Sequence, residues 1–360
     1  MKKIVFTVTT DLSYDQRMQR ICQSLSAEYD VLLVGRFKKD SIPLISFPFR
    51  TKRISCLFEK GKLFYIEYNI KLFFFLLFQK ANIYCSIDLD TLVPGYLVAS
   101  LKKKPLVYDA HEYFTEMIEI VRRPVIRNIW LFIEKSILPK IKYSYTVSEE
   151  IRKIYASLYH IPMGLIRNIS RLENFELTEK TEKYIIYAGV VNEGRGLEEL
   201  IDCMKEIPAR LLICGKGDLY DALLQKVKVD GLEGKVSFLG YVPPEQLKTY
   251  IRKAYIGYLM LENRGLSYYY SLANKFFDYI HAGIPQVTID FPEYRGINEQ
   301  FKVAELIPLN RDHIKAAIVK LLTDPDYYQH MKREALKARV FLNWQKEEEK
   351  LLHFYKNIPA

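Results

Sequence analysis

Residues 184–215 read YIIYAGVVNEGRGLEELIDCMKEIPARLLICG, and the fold turns on how this stretch divides. YIIYA is an unbroken run of β-branched and aromatic residues, as in a strand covered on both faces. LEELIDCMKEI brings an apolar residue back every three or four positions, as in an amphipathic helix, and RLLIC is a second covered strand. Strand, helix and strand in about thirty residues make one βαβ unit with parallel strands. The rhythm continues through the helix LYDALLQKV, the strand VSFLG, the helix PEQLKTYIRKA, the strand IGYLML, the helix ANKFFDYIHAG and the strand PQVTI. A separate series starts at the amino terminus with KKIVFTV, a helix QRMQRICQSLSAE capped by Asp15, DVLLVGR, and later NIYCSI and PLVYDA. At 360 residues the chain is too long for one core. The expectation is an α/β protein of two Rossmann-like domains, residues 1–170 and 171–343, with a linker near 168–180 and parallel sheets facing an interdomain cleft. A last helix, about 344–360, crosses back to the first domain.

Apolar residues make up 49% and charged residues 27%, a globular balance that excludes a disordered chain. Cys22, Cys56, Cys85, Cys203 and Cys214 are scattered, without a C-x-x-C pair or a histidine at metal-ligand spacing, so no zinc site or disulfide framework is predicted and a reducing cytoplasm is the default. The opening MKKIVFTVTT is too short in its apolar run for a signal sequence and reads as a buried strand. Leu63–Phe78 ends in LFFFLLF but contains Glu67 and Lys71, so it does not span a bilayer; a buried helix is the expectation and a membrane-contacting helix the alternative. Residues 1–170 hold 26 Lys+Arg against 16 Asp+Glu, whereas residues 171–360 hold 27 of each, so all the excess charge is N-terminal. Lys102-Lys103-Lys104, Arg122-Arg123 and Arg36/Lys38/Lys39 suit anionic lipid head groups, a phosphate-bearing acceptor or plain solvent. No nucleic-acid module accompanies them, so nucleic acid is not predicted as a partner.

The turns after the second-half strands have the composition a nucleotide needs. Gly194 and Gly196 let the backbone approach a ligand, and Arg195 between them opens a helix, where N–H groups, helix dipole and guanidinium converge on a phosphate. Gly215-Lys216-Gly217 is a second tight strand-to-helix turn, and both lie at the carboxyl ends of strands, where open α/β sheets bind ligands. In ENRGLSYYYSLANKFFDYIHAGIP, residues 262–285, Asn274 and Asp278 share a helix face while Lys275 sits at the helix start, offering a cation to pyrophosphate and a carboxylate to ribose hydroxyls. Gly283 and Pro285 end that helix.

This segment resembles the donor-binding signature of family 4 retaining glycosyltransferases of the GT-B fold, in the variant Asn-Lys-x-x-(Glu/Asp)-Tyr-x-x-Ala-Gly-x-Pro. The resemblance extends to AGVVNEGRGLEELI, the GKG turn, FLGYVPPEQLKTYIRKA and the N-terminal DLSYDQRMQRI, and is specific over residues 174–300. It implies transfer of a sugar from a nucleoside-diphosphate sugar, as co-substrate, to a hydroxyl acceptor with retention and without a metal or resident cofactor. Arg195 and Lys275 would bind the pyrophosphate, Asp278 the ribose, and main-chain groups around Gly215, Gly217 and Val242 the base. The family's paired acids, Glu-x7-Glu, would put the first at Tyr270; Glu262 with Gly265-Leu266 reproduces the local pattern and is taken as the donor-sugar contact. The arginine that commonly follows the first glycine of the phosphate turn is Val190.

In VYDAHEYFTE, Asp109, His111 and Glu112 follow a strand, and His111 resembles the histidine lining the sugar and acceptor site of this family. The loop from Thr9 to Arg17 is expected to face the same cleft, with Asp15 serving as a helix cap. Asp88-Leu89-Asp90 resembles the metal-binding DxD of the other glycosyltransferase fold class but belongs to a one-domain architecture, so Asp88 is assigned to the acceptor side. Tyr268, Tyr269 and Tyr270 are read as packing, and Trp130 and Trp344 as core or domain-contact residues. A nucleotide-sugar 2-epimerase of the same fold and a non-catalytic nucleotide-sugar-binding protein remain open. A nicotinamide-dependent dehydrogenase is disfavoured, since no G-x-G-x-x-G follows the first strand. A lipid-linked or polysaccharide-repeat acceptor at the cytoplasmic membrane face is the expected partner.

Overall fold

The computed structural model describes residues 1–175 and 182–359, so residues 176–181 of the expected linker lie outside the described residues. The chain divides into two compact units, Met1–Asn168 with Glu347–Ala360, and Ile169–Lys346.

The first unit runs β1 (Lys3–Asp11), α1 (Gln16–Leu25), β2 (Asp30–Phe37), β3 (Arg50–Ser55), α2 (Gly61–Leu77), β4 (Ile83–Ile87), α3 (Leu92–Leu101), β5 (Leu106–Ala110), α4 (Ile118–Val121), α5 (Pro124–Ile137), β6 (Tyr143–Thr146), α6 (Glu149–Tyr159) and β7 (Met163–Leu165). The strands form one parallel sheet in the order β3-β2-β1-β4-β5-β6-β7, with Phe6 registered against Leu33 on one side and Cys85 on the other. β4 and β5 are buried along their whole length, which is why their sequences carry no alternation. The edge strand β3 reads RTKRIS, too charged for any hydrophobic pattern to announce it, and that composition suits an edge that must not pair further.

α2 departs from the buried helix expected of Leu63–Phe78. Phe64, Tyr68, Leu72 and Leu76 are buried, but Leu63, Ile66, Ile70 and Phe74 on the opposite side are each more than half exposed. A helix apolar all round has no moment from which its inner face can be read.

The second unit continues with β8 (Tyr184–Ala188), α7 (Leu197–Cys203), β9 (Arg210–Cys214), α8 (Tyr220–Val229), β10 (Val236–Gly240), α9 (Pro244–Lys253), β11 (Ile256–Leu259), α10 (Leu266–Tyr269), α11 (Asn274–His281), β12 (Gln286–Ile289), α12 (Pro292–Gln300), β13 (Ala304–Ile307), α13 (Arg311–Thr323) and α14 (Pro325–Phe341). Its sheet is again wholly parallel, ordered β10-β9-β8-β11-β12-β13. α15 (Trp344–Lys356) follows, and its Tyr355 packs in the first unit, with ring centroids 5.9 Å from Phe6 and 6.4 Å from Tyr145.

Beyond the ends of β8 and β9 the chain keeps pairing through its turns. Gly189 N donates to Cys214 O at 3.0 Å, Val191 N to Lys216 O at 3.0 Å, and Gly215 N to Gly240 O at 2.8 Å. Gly215 has φ +151°, and a Cβ there would stand 1.7 Å from the Gly189 carbonyl oxygen. Gly215→Ala must therefore push two turns apart and is expected to cost about 3 kcal/mol or more in urea unfolding. Gly234→Ala, with nothing within 4 Å of the new methyl, is expected to stay within about 0.5 kcal/mol of the parent.

Candidate functional site

In the second unit α7 begins after Gly196 and α11 after Ala273 without a side-chain cap, as α8, α9, α10 and α12 also do. The first N–H groups of α7 and α11 are left for a ligand, and both helix dipoles present positive ends. Arg195 and Lys275 stand at these two starts. Burial pushes the hydroxyls of Tyr187 and Tyr294 up to about 12 while the Arg195 charge acts against it. Tyr294 also accepts the Ala273 N–H at 3.1 Å, at the start of α11. Lys275 faces the end of β9, where its charge opposes the burial that pushes the Cys214 thiol up to about 12.

Lys275 Nζ pairs with Asp278 Oδ2 at 2.6 Å, and Ser170 Oγ donates to Asp278 Oδ1 at 2.8 Å. The helix therefore presents a ready ammonium–carboxylate pair, both members half-buried, whereas Asn274 is exposed. Among the described residues Arg195 forms no ion pair, so its charge is available. Gly217 is fixed by proximity: a Cβ would meet Asn192 Oδ1 at 2.2 Å and Val191 O at 2.4 Å. Val242 is half-buried against the unit's core.

Glu262 lies on the other side of the Gly194–Gly196 turn. Its N–H donates to Gly194 O at 2.8 Å, and its carboxylate accepts from Arg264 Nε at 2.7 Å, with Arg264 also reaching Glu193 at 3.2 Å. Gly194, Gly196, Glu262, Asn263 and Asp290 line a hollow of about 950 Å³. The structure thus gathers the expected donor residues around one turn but on two sides of it. Arg264, which sequence reasoning passed over, engages Glu262; a charge two residues away in a loop gives no periodic signal.

In the first unit, Asp88, Asp90, His111, Glu112 and Asp15 line a hollow of about 290 Å³ at the carboxyl ends of β1, β4 and β5. Asp109 and Arg17, expected on the acceptor side, do not belong to its surface. Asp109 is fully buried, Arg17 is 5% exposed, and they pair at 2.9 Å beneath the floor. Asp109 contacts the histidine, and Arg17 is the partner of Asp109. Asp109 Oδ2 contacts His111 Nε2 at 3.3 Å, and Asp88 Oδ1 accepts the His111 backbone N–H at 2.8 Å. Asp88 adopts a left-handed backbone, φ 53°, unusual for a residue other than glycine or asparagine. Asp15 caps α1 by accepting Met18 N–H at 3.1 Å. Asp90 takes a hydroxyl hydrogen bond from Thr9 at 2.5 Å.

Burial raises the carboxyls of both Asp88 and Asp90 to about 7, and raises Glu112 as well. For Asp109 burial acts the same way, but Arg17 and His111 outweigh it and hold the carboxyl below its ordinary value. Burial disfavours the His111 imidazolium, yet Asp109 beside it wins and its pKa lies above the usual histidine value. The hollow thus sets an imidazole favoured in its charged form among carboxyls favoured in their neutral form.

These features define a two-unit α/β protein of the GT-B fold, with a phosphate-ready set of helix starts in the second unit. Residues 169–338 match the model of the family described as Glycosyl transferases group 1. An uncharacterized glycosyltransferase of Methanocaldococcus jannaschii is 29% identical over 30% of this chain and 34% of its own length, so the match spans about a third of that protein. Across 99% of the chain the fold resembles a sucrose-phosphate synthase from Thermosynechococcus elongatus, covering 98% of that chain at TM-score 0.77 and 16% identity. It also resembles HepE from Anabaena, solved with UDP and glucose, covering all of that chain at TM-score 0.75 and 12% identity. Among the described residues no helix is long and apolar enough to cross a membrane.

Asp90 supplies a test of the first-unit electrostatics. Its folded pKa of about 7 lies above the unfolded value, so its contribution to stability is full below about pH 4 and is lost as pH rises through about 7. Asp90→Asn keeps an acceptor for Thr9 and removes the titration. It is expected to match the parent near pH 4 and to exceed it by up to about 4 kcal/mol above pH 8 in chemical unfolding.

Proposed function

We propose that the protein is a hexosyl- or related glycosyltransferase that moves a sugar from a nucleoside-diphosphate sugar to a hydroxyl acceptor with retention, as a family 4 enzyme. The observation that carries this reading is the pair of uncapped helix starts with Arg195 and Lys275 beside them, in a segment that matches the model of the Glycosyl transferases group 1 family. The donor lies on the Ile169–Lys346 unit, its diphosphate against Arg195, Lys275 and the N–H groups of α7 and α11, and its ribose hydroxyls on Asp278. The base occupies the turns at Gly215, Gly217 and Val242, and Glu262 takes hydroxyls of the transferred sugar.

As the glycosidic bond to the diphosphate breaks, negative charge grows on the leaving oxygen. Arg195 and Lys275 stabilise it, and such charge stabilisation is ordinarily the largest single contribution to catalysis. The two cations neutralise the leaving group themselves, so neither a metal nor a resident cofactor is required. The leaving phosphate takes the acceptor proton on the face from which it departs, and the new bond forms on that same face. His111, held by Asp109 and Asp88, presents its imidazole to the acceptor hydroxyls. The acceptor is a lipid-linked saccharide or polysaccharide repeat, and the protein works as a cytoplasmic, peripheral membrane enzyme of cell-surface polysaccharide or glycolipid assembly.

The test starts with thermal shift against UDP, GDP, ADP, CMP and NAD, since a ligand selective for the native state raises the melting temperature. One nucleoside diphosphate is expected to stabilise the protein, and Lys275→Ala to lose that response. Arg195→Ala and Lys275→Ala are each expected to lower sugar transfer by about 100- to 1,000-fold with unfolding temperatures unchanged, and EDTA to leave transfer intact. Stabilisation by NAD alone, or near-normal transfer in both variants, would overturn the assignment. A changed sugar nucleotide formed without acceptor would identify a 2-epimerase instead.

A further inference from the structure

We propose that the outer faces of α2 and α5 form a docking surface for an anionic lipid bilayer. On α2, Leu63, Ile66, Ile70 and Phe74 recur at intervals of three and four residues and are 53–57% exposed, and Phe78 beyond the helix is 80% exposed. On α5, Val125, Ile129 and Phe132 form a second row, 51–72% exposed. The helices abut, with the rings of Tyr65 and Trp130 edge to face at 5.8 Å, so the rows belong to one surface. Single exposed apolar side chains are ordinary, but two adjoining rows at helical spacing are not what a water-facing surface carries.

The charges around the rows select the occupant. Within α2 the only charged residues past its first turn, Glu67 and Lys71, neutralise each other at 2.7 Å, and the α5 carboxylate Glu134 is buried. Exposed cations stand at both ends: Lys60 and Lys62 before the α2 row and Lys80 after it, Arg122 and Arg123 before the α5 row and Lys135 near its end. An apolar strip with basic ends places its side chains at the acyl boundary and its cations among head-group phosphates. A second copy of the chain would set cation against cation in either orientation. Tyr65 near the start of α2 and Ile120 in α4, just ahead of α5, also line the hollow that holds His111 and Asp88, so docking sets that hollow beside the lipid surface. The inference deepens the membrane-face acceptor proposed above and rests on that reading for its purpose, but its test does not involve transfer.

The full chain is floated with phosphatidylcholine vesicles, with and without phosphatidylglycerol, at low and high salt. The parent is expected to float with the anionic vesicles at low salt, and Ile66→Glu/Phe74→Glu/Phe132→Glu to bind at least about tenfold more weakly at the same unfolding temperature. Arg122→Glu/Arg123→Glu, which leaves the apolar rows alone, is expected to lose the preference for anionic over neutral vesicles. A parent that stays unbound at low salt, or a triple variant that floats equally well, overturns the proposal. So does a parent that sediments as a dimer which the triple variant dissolves, since the face would then join copies of the chain. Vesicle binding without any sugar transfer would instead leave this surface standing and remove the proposed function.

Discussion

The second unit depends on main-chain contact between two turns. The Gly189–Asn192 segment and the Gly215–Gly217 segment exchange backbone hydrogen bonds past the strand ends, and Leu219 N closes back on Val191 O at 3.0 Å. Asn192 Oδ1 adds a bond to Asp218 N at 2.8 Å. No side chain fits between them, which fixes glycine at 215 and 217. Because the turns cannot separate, α7 leaves at a set angle with Arg195 at its start, and Tyr294 accepts the Ala273 N–H at the start of α11. The placement of positive charge follows from close packing of backbone rather than from any side chain chosen for the purpose.

The first unit fixes its site by burying charge. Arg17 comes from α1 and Asp109 from the end of β5, 92 residues apart, and they meet where neither sees solvent. A buried pair stabilises little in net terms, since desolvation offsets the attraction, but removal of one partner leaves a buried charge alone. Its consequence is positional: Arg17 favours the ionised form of Asp109, and Asp109 in turn favours the charged form of the His111 ring and orients it. Asp88 completes the hold through the backbone of His111, at the cost of a left-handed residue.

Both sheets were legible because covered parallel strands are apolar runs and their helices are amphipathic, as YIIYA and QRMQRICQSL show. What stayed hidden was whatever lacks a period. RTKRIS is charged because it is an edge, and β7 is three residues long. α2 shows too much hydrophobicity to reveal which side faces inward. Within the sites, residue types at turns pointed to the helix starts, to Arg195 and Lys275, and to the stretch ending in His111. The Arg17–Asp109 pair, the Asp90–Thr9 bond and the Glu262–Arg264 contact are products of folding, and spacing along the chain does not encode them. The Lys275–Asp278 pair is the exception, since residues three apart on a helix meet whatever the rest does.

Charge distribution separates two roles that composition had merged. Residues 1–170 carry the whole basic excess of the chain, which by itself suits a phosphate-bearing acceptor in the first unit. The hollow there is instead lined by Asp15, Asp88, Asp90 and Glu112 around one imidazole. The oxygens of these side chains are acceptors for hydroxyl groups. The basic clusters lie elsewhere. Lys102 donates to Leu76 O at 3.2 Å and Gln79 O at 2.6 Å, closing the end of α2 on the amino side of the sheet. Arg36 lies over the Phe64 ring at 4.3 Å. Net charge is therefore a property of this unit's helices and edges. Its hollow carries carboxyls and one imidazole, while Arg195 and Lys275 stand at helix starts in the half of the chain whose net charge is zero.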